Sequence, residues 1–144
     1  MKLALALSLA LAIAVSVWVG WTRYALLEPA PIAVLTASGP VTVHGARFAL
    51  VGVTTLPGAA DATPGTVTVR LDLTQAGGGE DLTCSGWLIS GPDSWRNRYS
   101  TESSCQNLEA GQQRRLSFSW EVPADVQAEE FQLRFASQRV AIRP

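Results

Sequence analysis

From Val41 to the end of the chain, apolar and polar residues take turns, and no stretch there repeats at helical spacing. The cleanest case is Val67, Val69, Leu71 and Leu73 alternating with Thr68, Arg70, Asp72 and Thr74. A period of two puts one set on each face of a pleated strand, so this pattern specifies a strand with one dry and one wet face. Antiparallel sheets produce such strands, and a lone sheet would leave its apolar face uncovered. Two packed sheets are the economical solution.

The same logic reads further strands along the chain. Val41 and Val43 alternate with Thr42 and His44, and Gly45 turns the chain. Residues 47–54 are mostly apolar with β-branched members, and Pro57-Gly58 and Pro64-Gly65 mark the loop that follows. After Gly77-Gly78-Gly79, Leu82, Cys84, Gly86 and Leu88 share one face, which the pattern reads as a core strand carrying Cys84. Residues 94–107 read as polar, aromatic and irregular. Leu116, Phe118, Trp120 and Val122, then Phe131, Leu133 and Phe135, then Val140 and Ile142, supply the last strands. The expectation is an all-β antiparallel sandwich of seven to eight strands. No repeat unit recurs, which argues against propellers and solenoids.

A different pattern precedes the strands. Leu3 to Trp21 carries no charge, with Lys2 before it and Arg23 after it. At about 1.5 Å per residue this run is just long enough to cross a bilayer core of roughly 30 Å. Trp18, Trp21 and Tyr24 cluster where an aromatic belt would meet the headgroups. Lys2 and the free amino terminus outweigh Arg23, which favours a cytoplasmic N-terminus. The run is longer than the apolar core of a signal peptide, and no clean Ala-x-Ala follows it. An uncleaved signal-anchor is therefore the leading reading, and a cleaved signal peptide the other. Both export the remainder of the chain.

The expected organisation is a transmembrane helix over 1–27, a Pro-rich stalk over 28–40 and an extracytoplasmic sandwich over 41–144. The stalk segment, EPAPIAVLTASGP, has room for a first edge strand at 32–36. A stalk of about a dozen residues reaches at most roughly 40 Å.

From Glu28 onward the chain has twelve Asp or Glu and nine Arg. That balance gives no basic footprint for nucleic acid. Cys84 and Cys105 are the two cysteines, and in an oxidising compartment a disulfide between them is the default. It would tie down the irregular stretch after residue 94. Two free thiols are the alternative.

Four segments carry a resemblance: residues 41–48 (VTVHGARF), 65–73 (GTVTVRLDL), 117–123 (SFSWEVP) and 131–135 (FQLRF). Together they resemble bacterial extracytoplasmic immunoglobulin-like domains, many of them attached to an N-terminal membrane segment. The resemblance implies an immunoglobulin-like sandwich with a scaffolding, envelope or partner-binding role. The antibody pattern itself is not followed: Trp87 lies three residues after Cys84, and no tyrosine stands two before Cys105.

Catalytic and metal chemistry are poorly supplied. His44 is the single histidine, and no Gly-x-Ser-x-Gly elbow is present. It reads as a solvated side chain beside a turn. Zinc and copper lack converging ligands; Glu80-Asp81 or Asp93 could supply loop oxygens to calcium, but their spacing is not that of the calcium loop, and a bare charged turn is the leading reading. Glu129-Glu130 read as charges that keep a strand edge soluble. No cofactor is expected.

Trp95, Arg96, Arg98 and Tyr99 form the candidate partner-binding patch, because aromatic and arginine side chains dominate binding hot spots. They could dock an envelope protein, a glycan or an anionic polymer. The alternative is that Trp95 and Tyr99 fold back on the sandwich and the arginines are solvated. The expected function is a non-enzymatic, membrane-tethered binding or scaffolding module of the bacterial cell envelope. The second reading is a secreted ligand-binding or inhibitor-like sandwich released by signal cleavage.

Overall fold

The computed structural model describes residues 11–19, 31–79, 82–98, 100–136 and 138–144. The chain divides into two units, Met1–Ala30 and Pro31–Pro144. In the first, residues 11–19 are helical and exposed. They lie inside the uncharged run, the rest of which falls outside the described residues. Among the described residues no helix is long and apolar enough to cross a membrane.

The second unit is an all-β sandwich of nine strands in two sheets. The strands are β1 (Pro31–Thr36), β2 (Val41–Val43), β3 (Ala46–Pro57), β4 (Thr66–Ala76) and β5 (Ser85–Ser90). They continue with β6 (Asp93–Arg96), β7 (Gln113–Pro123), β8 (Glu130–Arg134) and β9 (Arg139–Arg143). One sheet has the order β1-β9-β8-β5-β6 and the other β2-β3-β4-β7. All neighbours are antiparallel except β1 and β9, which run parallel.

The alternation does what a period of two requires. Leu71 and Leu73 of β4, Leu116, Phe118 and Val122 of β7, and Phe131 and Leu133 of β8 are fully or almost fully buried. Phe48, Leu88 and Ile142 complete the interior from β3, β5 and β9. The two sheets meet through aromatic contact: the Trp120 ring of β7 and the Phe131 ring of β8 lie 5.4 Å apart, and within β7 Phe118 stacks on Trp120 at 6.3 Å. Gly86 of β5 faces Phe118 so closely that a Cβ there would overlap the ring. Between β2 and β3, His44 and Gly45 both take positive φ (50° and 74°), the geometry of a tight two-residue hairpin. The His44 carbonyl accepts a hydrogen bond from the Gly79 N–H at 2.9 Å.

Several expectations change. Residues 31–36, within the segment read as stalk, form the edge strand for which the sequence left room at 32–36; it pairs with β9, and Leu35 is fully buried in the core, so this part is not stalk. The sandwich therefore starts ten residues before Val41, and the 40 Å reach does not apply. Among the described residues strands number nine, one more than the upper count expected, because Asp93–Arg96 pairs with β5. Gly91 at φ 54° makes that hairpin turn, in a segment whose polar sequence gave no strand signal. Cys84 stands one residue before β5, not on it. Glu130 opens β8, an inner strand between β9 and β5, so it protects no edge. It instead accepts from Gln132 and pairs with Arg143 at 3.4 Å. Glu80 and Asp81 lie outside the described residues.

Candidate functional site

The segment after β6 is irregular but fastened at each step. Asn97 is buried; its N–H donates to the Gly86 carbonyl at 2.9 Å, and its Oδ1 accepts from the Gly86 N–H at 2.7 Å. Ser100 caps the short 3₁₀ turn Thr101–Ser103, and the two serines satisfy each other's N–H groups. Cys105 then bonds to Cys84, with Cα atoms 5.3 Å apart. One residue later, Gln106 is held by Gln75, a fully buried β4 side chain that bonds its carbonyl and its N–H. The bridge joins two connecting segments, not two strands. It fixes the end of the excursion, as a loop-tying disulfide does.

This excursion is the wall of a groove of about 550 Å³. Edge strands β6 and β7 come together here, and the excursion rises beside them. The floor is the wet face of the other sheet, with Thr66 and Thr68 from β4 and Ser117, Ser119 and Glu121 from β7. Their position follows from alternation, since Val69, Phe118 and Trp120 take the buried face. Register sets Thr68 opposite Glu121 and Arg70 opposite Ser119. The wall supplies Arg96, Arg98, Ser100 and Glu102, and the crevice between β6 and β7 is lined by Trp95 and Trp120.

Three of the four candidate patch residues thus line one groove. Trp95 is half-buried and packs against the core opposite Leu88, as the fold-back alternative has it. Arg96 and Arg98 are exposed. Tyr99 lies outside the described residues. Sequence reasoning missed the floor: hydroxyl side chains on the polar face of a strand look like any solvated surface. It also missed the anchoring roles of Asn97 and Gln75, which depend on backbone partners 11 and 31 residues away.

Glu121 organises the floor. Its Oε1 accepts from the Thr63 N–H and the Thr66 hydroxyl, both at 2.9 Å. Those two hydrogen bonds, the backbone one foremost, hold its carboxyl below the usual range against a small opposing effect of desolvation, and the Arg98 charge adds to them. Beside the groove, Ser117 donates to Asp72, which also bonds Arg70 at 3.1 Å and Arg115 at 3.0 Å. Burial would raise the Asp72 carboxyl, but the Ser117 hydroxyl, then Arg115 and Arg70, outweigh it and lower the value.

The outer face of the other sheet is different in kind. The Arg134 guanidinium sits 4.3 Å over the Trp87 ring, and its Nε donates to Gln132. Gln132 in turn donates to Glu130, which pairs with Arg143. That ladder spends its polar groups on itself. In the first groove the Thr68 and Ser119 hydroxyls make no hydrogen bond among the described residues, and Arg96 has no carboxylate partner there. His44 is exposed on the β2–β3 turn, 5.5 Å from the Phe135 ring. Among the described residues no three His, Cys, Asp or Glu side chains converge as a metal-ligand group.

No family model and no curated protein sequence matches the chain. A solved structure does: an uncharacterised β-sandwich protein from Clostridium difficile 630, at 11% identity and a TM-score of 0.50. The match covers 80% of this chain and 95% of that one. The chain is a β-sandwich. At this identity the likeness concerns fold alone.

Proposed function

We propose that the chain is a non-enzymatic binding module of the bacterial cell envelope, tethered to the membrane by its N-terminal segment. The carrying observation is the groove, where the Trp95–Arg98 segment and the hydroxyl rows of β4 and β7 converge on one concave site. Its volume falls within the roughly 300–1,000 Å³ of small-ligand sites. The tether rests on the uncharged run Leu3 to Trp21 and its aromatic end. The strand order supports an immunoglobulin-like reading: the first strand pairs in parallel with the last, and the chain changes sheets after β1, β4, β6 and β7.

The test is affinity recovery of partners from envelope fractions with the intact protein, compared with the Trp95→Ala, Arg96→Ala and Arg98→Ala variants. Reduced recovery by the variants supports the groove, and unchanged recovery removes it as the site. N-terminal sequencing of the mature protein tests the tether. An intact N-terminus in the membrane fraction supports it. A start near residues 25–34 in the medium would make the protein a secreted ligand-binding sandwich instead.

A further inference from the structure

We infer that the groove accepts a neutral, hydroxyl-rich ligand, an uncharged oligosaccharide; this rests on the binding-module reading and names its ligand class. Charge is the first argument. The lining carries two arginines, Arg96 and Arg98, and two glutamates, Glu102 and Glu121. Glu121 is held ionised by Thr63 and Thr66, and Arg98 lies within its electrostatic reach. A polyanion would gain from the arginines and lose to the glutamates, and a polycation the reverse. A neutral ligand loses to neither.

Hydrogen-bond chemistry is the second argument. A sugar hydroxyl both donates and accepts, so it needs carboxylate acceptors, guanidinium donors and ambivalent hydroxyls close together. The groove has all three. Glu121 uses Oε1 for Thr63 and Thr66, which leaves Oε2 as an acceptor. Thr68 and Ser119 are uncommitted among the described residues, and Arg96 offers donors with no carboxylate partner there.

The third argument is aromatic. Trp95 lines the crevice while half-buried, an indole held by the core beside a polar floor. Such a ring offers the apolar C–H face of a pyranose a surface while its neighbours bind the hydroxyl edge. Trp120, lining the same crevice, keeps a buried indole N–H with no protein acceptor among the described residues.

The experiment is titration calorimetry on the full chain, in a detergent without a sugar headgroup. The probes are cellohexaose, maltohexaose and chitohexaose, with poly-L-glutamate as the anionic comparison. Saturable 1:1 binding of at least one saccharide is expected, nearly independent of salt. The Thr68→Val/Ser119→Ala double variant should weaken it about tenfold. Arg143→Ala, on the other sheet, should leave it unchanged.

The proposal is overturned if no saccharide binds, if the double variant binds as the parent does, or if only poly-L-glutamate binds and salt abolishes that binding. If every saccharide fails while partner recovery still depends on Trp95, Arg96 and Arg98, the ligand class is wrong and the binding module stands. If both fail, the groove is not a site.

Discussion

Gly86 and Asp72 show how single positions commit this chain. At Gly86 the Phe118 ring of the facing sheet occupies the place of a side chain. A Gly86→Ala variant must push that ring or β5 aside, and overpacking of this kind costs about 1–3 kcal/mol. Urea denaturation followed by tryptophan fluorescence should show that loss; a midpoint equal to the parent's would mean the sheets separate freely. Asp72 is a buried carboxylate with three partners on β4 and β7. Its folded-state value lies below its unfolded one, so its contribution is complete above about pH 5 and is lost as pH falls through the folded value. Asp72→Asn should therefore cost about 1–3 kcal/mol at neutral pH and flatten the loss of stability on acidification. Denaturation midpoints measured from pH 7 downward would show the two curves converging in acid.

Among the elements, β4 and β7 are legible from sequence because one face of each is dry and the other wet along the whole strand. Val67 to Leu73 and Leu116 to Val122 state that directly. β6 is not legible, since Ser94-Trp95-Arg96 has one apolar residue and owes its pairing to the turn at Gly91. β1 was readable as an edge strand, but its pairing with β9, over a hundred residues away, was not. The site divides in the same way. Its wall announced itself through Trp and Arg, while its floor consists of hydroxyls that a lone strand would simply show to water. The excursion between β6 and β7 has no ladder of its own and depends on Asn97, Gln75 and the disulfide. Replacing both Cys84 and Cys105 with Ser should lower stability by roughly 3 kcal/mol for a bridge spanning 21 residues. Limited proteolysis of that variant should cut first within residues 97–104, and an unaltered cleavage pattern would show that the hydrogen bonds suffice.

For the whole molecule, the decisive fact is that the sandwich includes β1. Leu35 is fully buried, so Leu35→Ala should cost about 2–5 kcal/mol. A chain begun at residue 41 should melt well below one begun at residue 31, because it uncovers both the core beneath Leu35 and the edge of β9. Circular dichroism melts of the two would settle it; equal melting temperatures would make β1 dispensable. The parallel pairing also decides how the domain answers force. A pull between residue 31 and residue 144 drags the start of β1 and the end of β9 in opposite directions along neighbouring strands. Their hydrogen bonds are then loaded together, in shear, and must break as a group instead of unzipping one by one. The parallel pairing thus gives the domain a mechanical grain: a pull along β1 and β9 meets all of their shared hydrogen bonds at once.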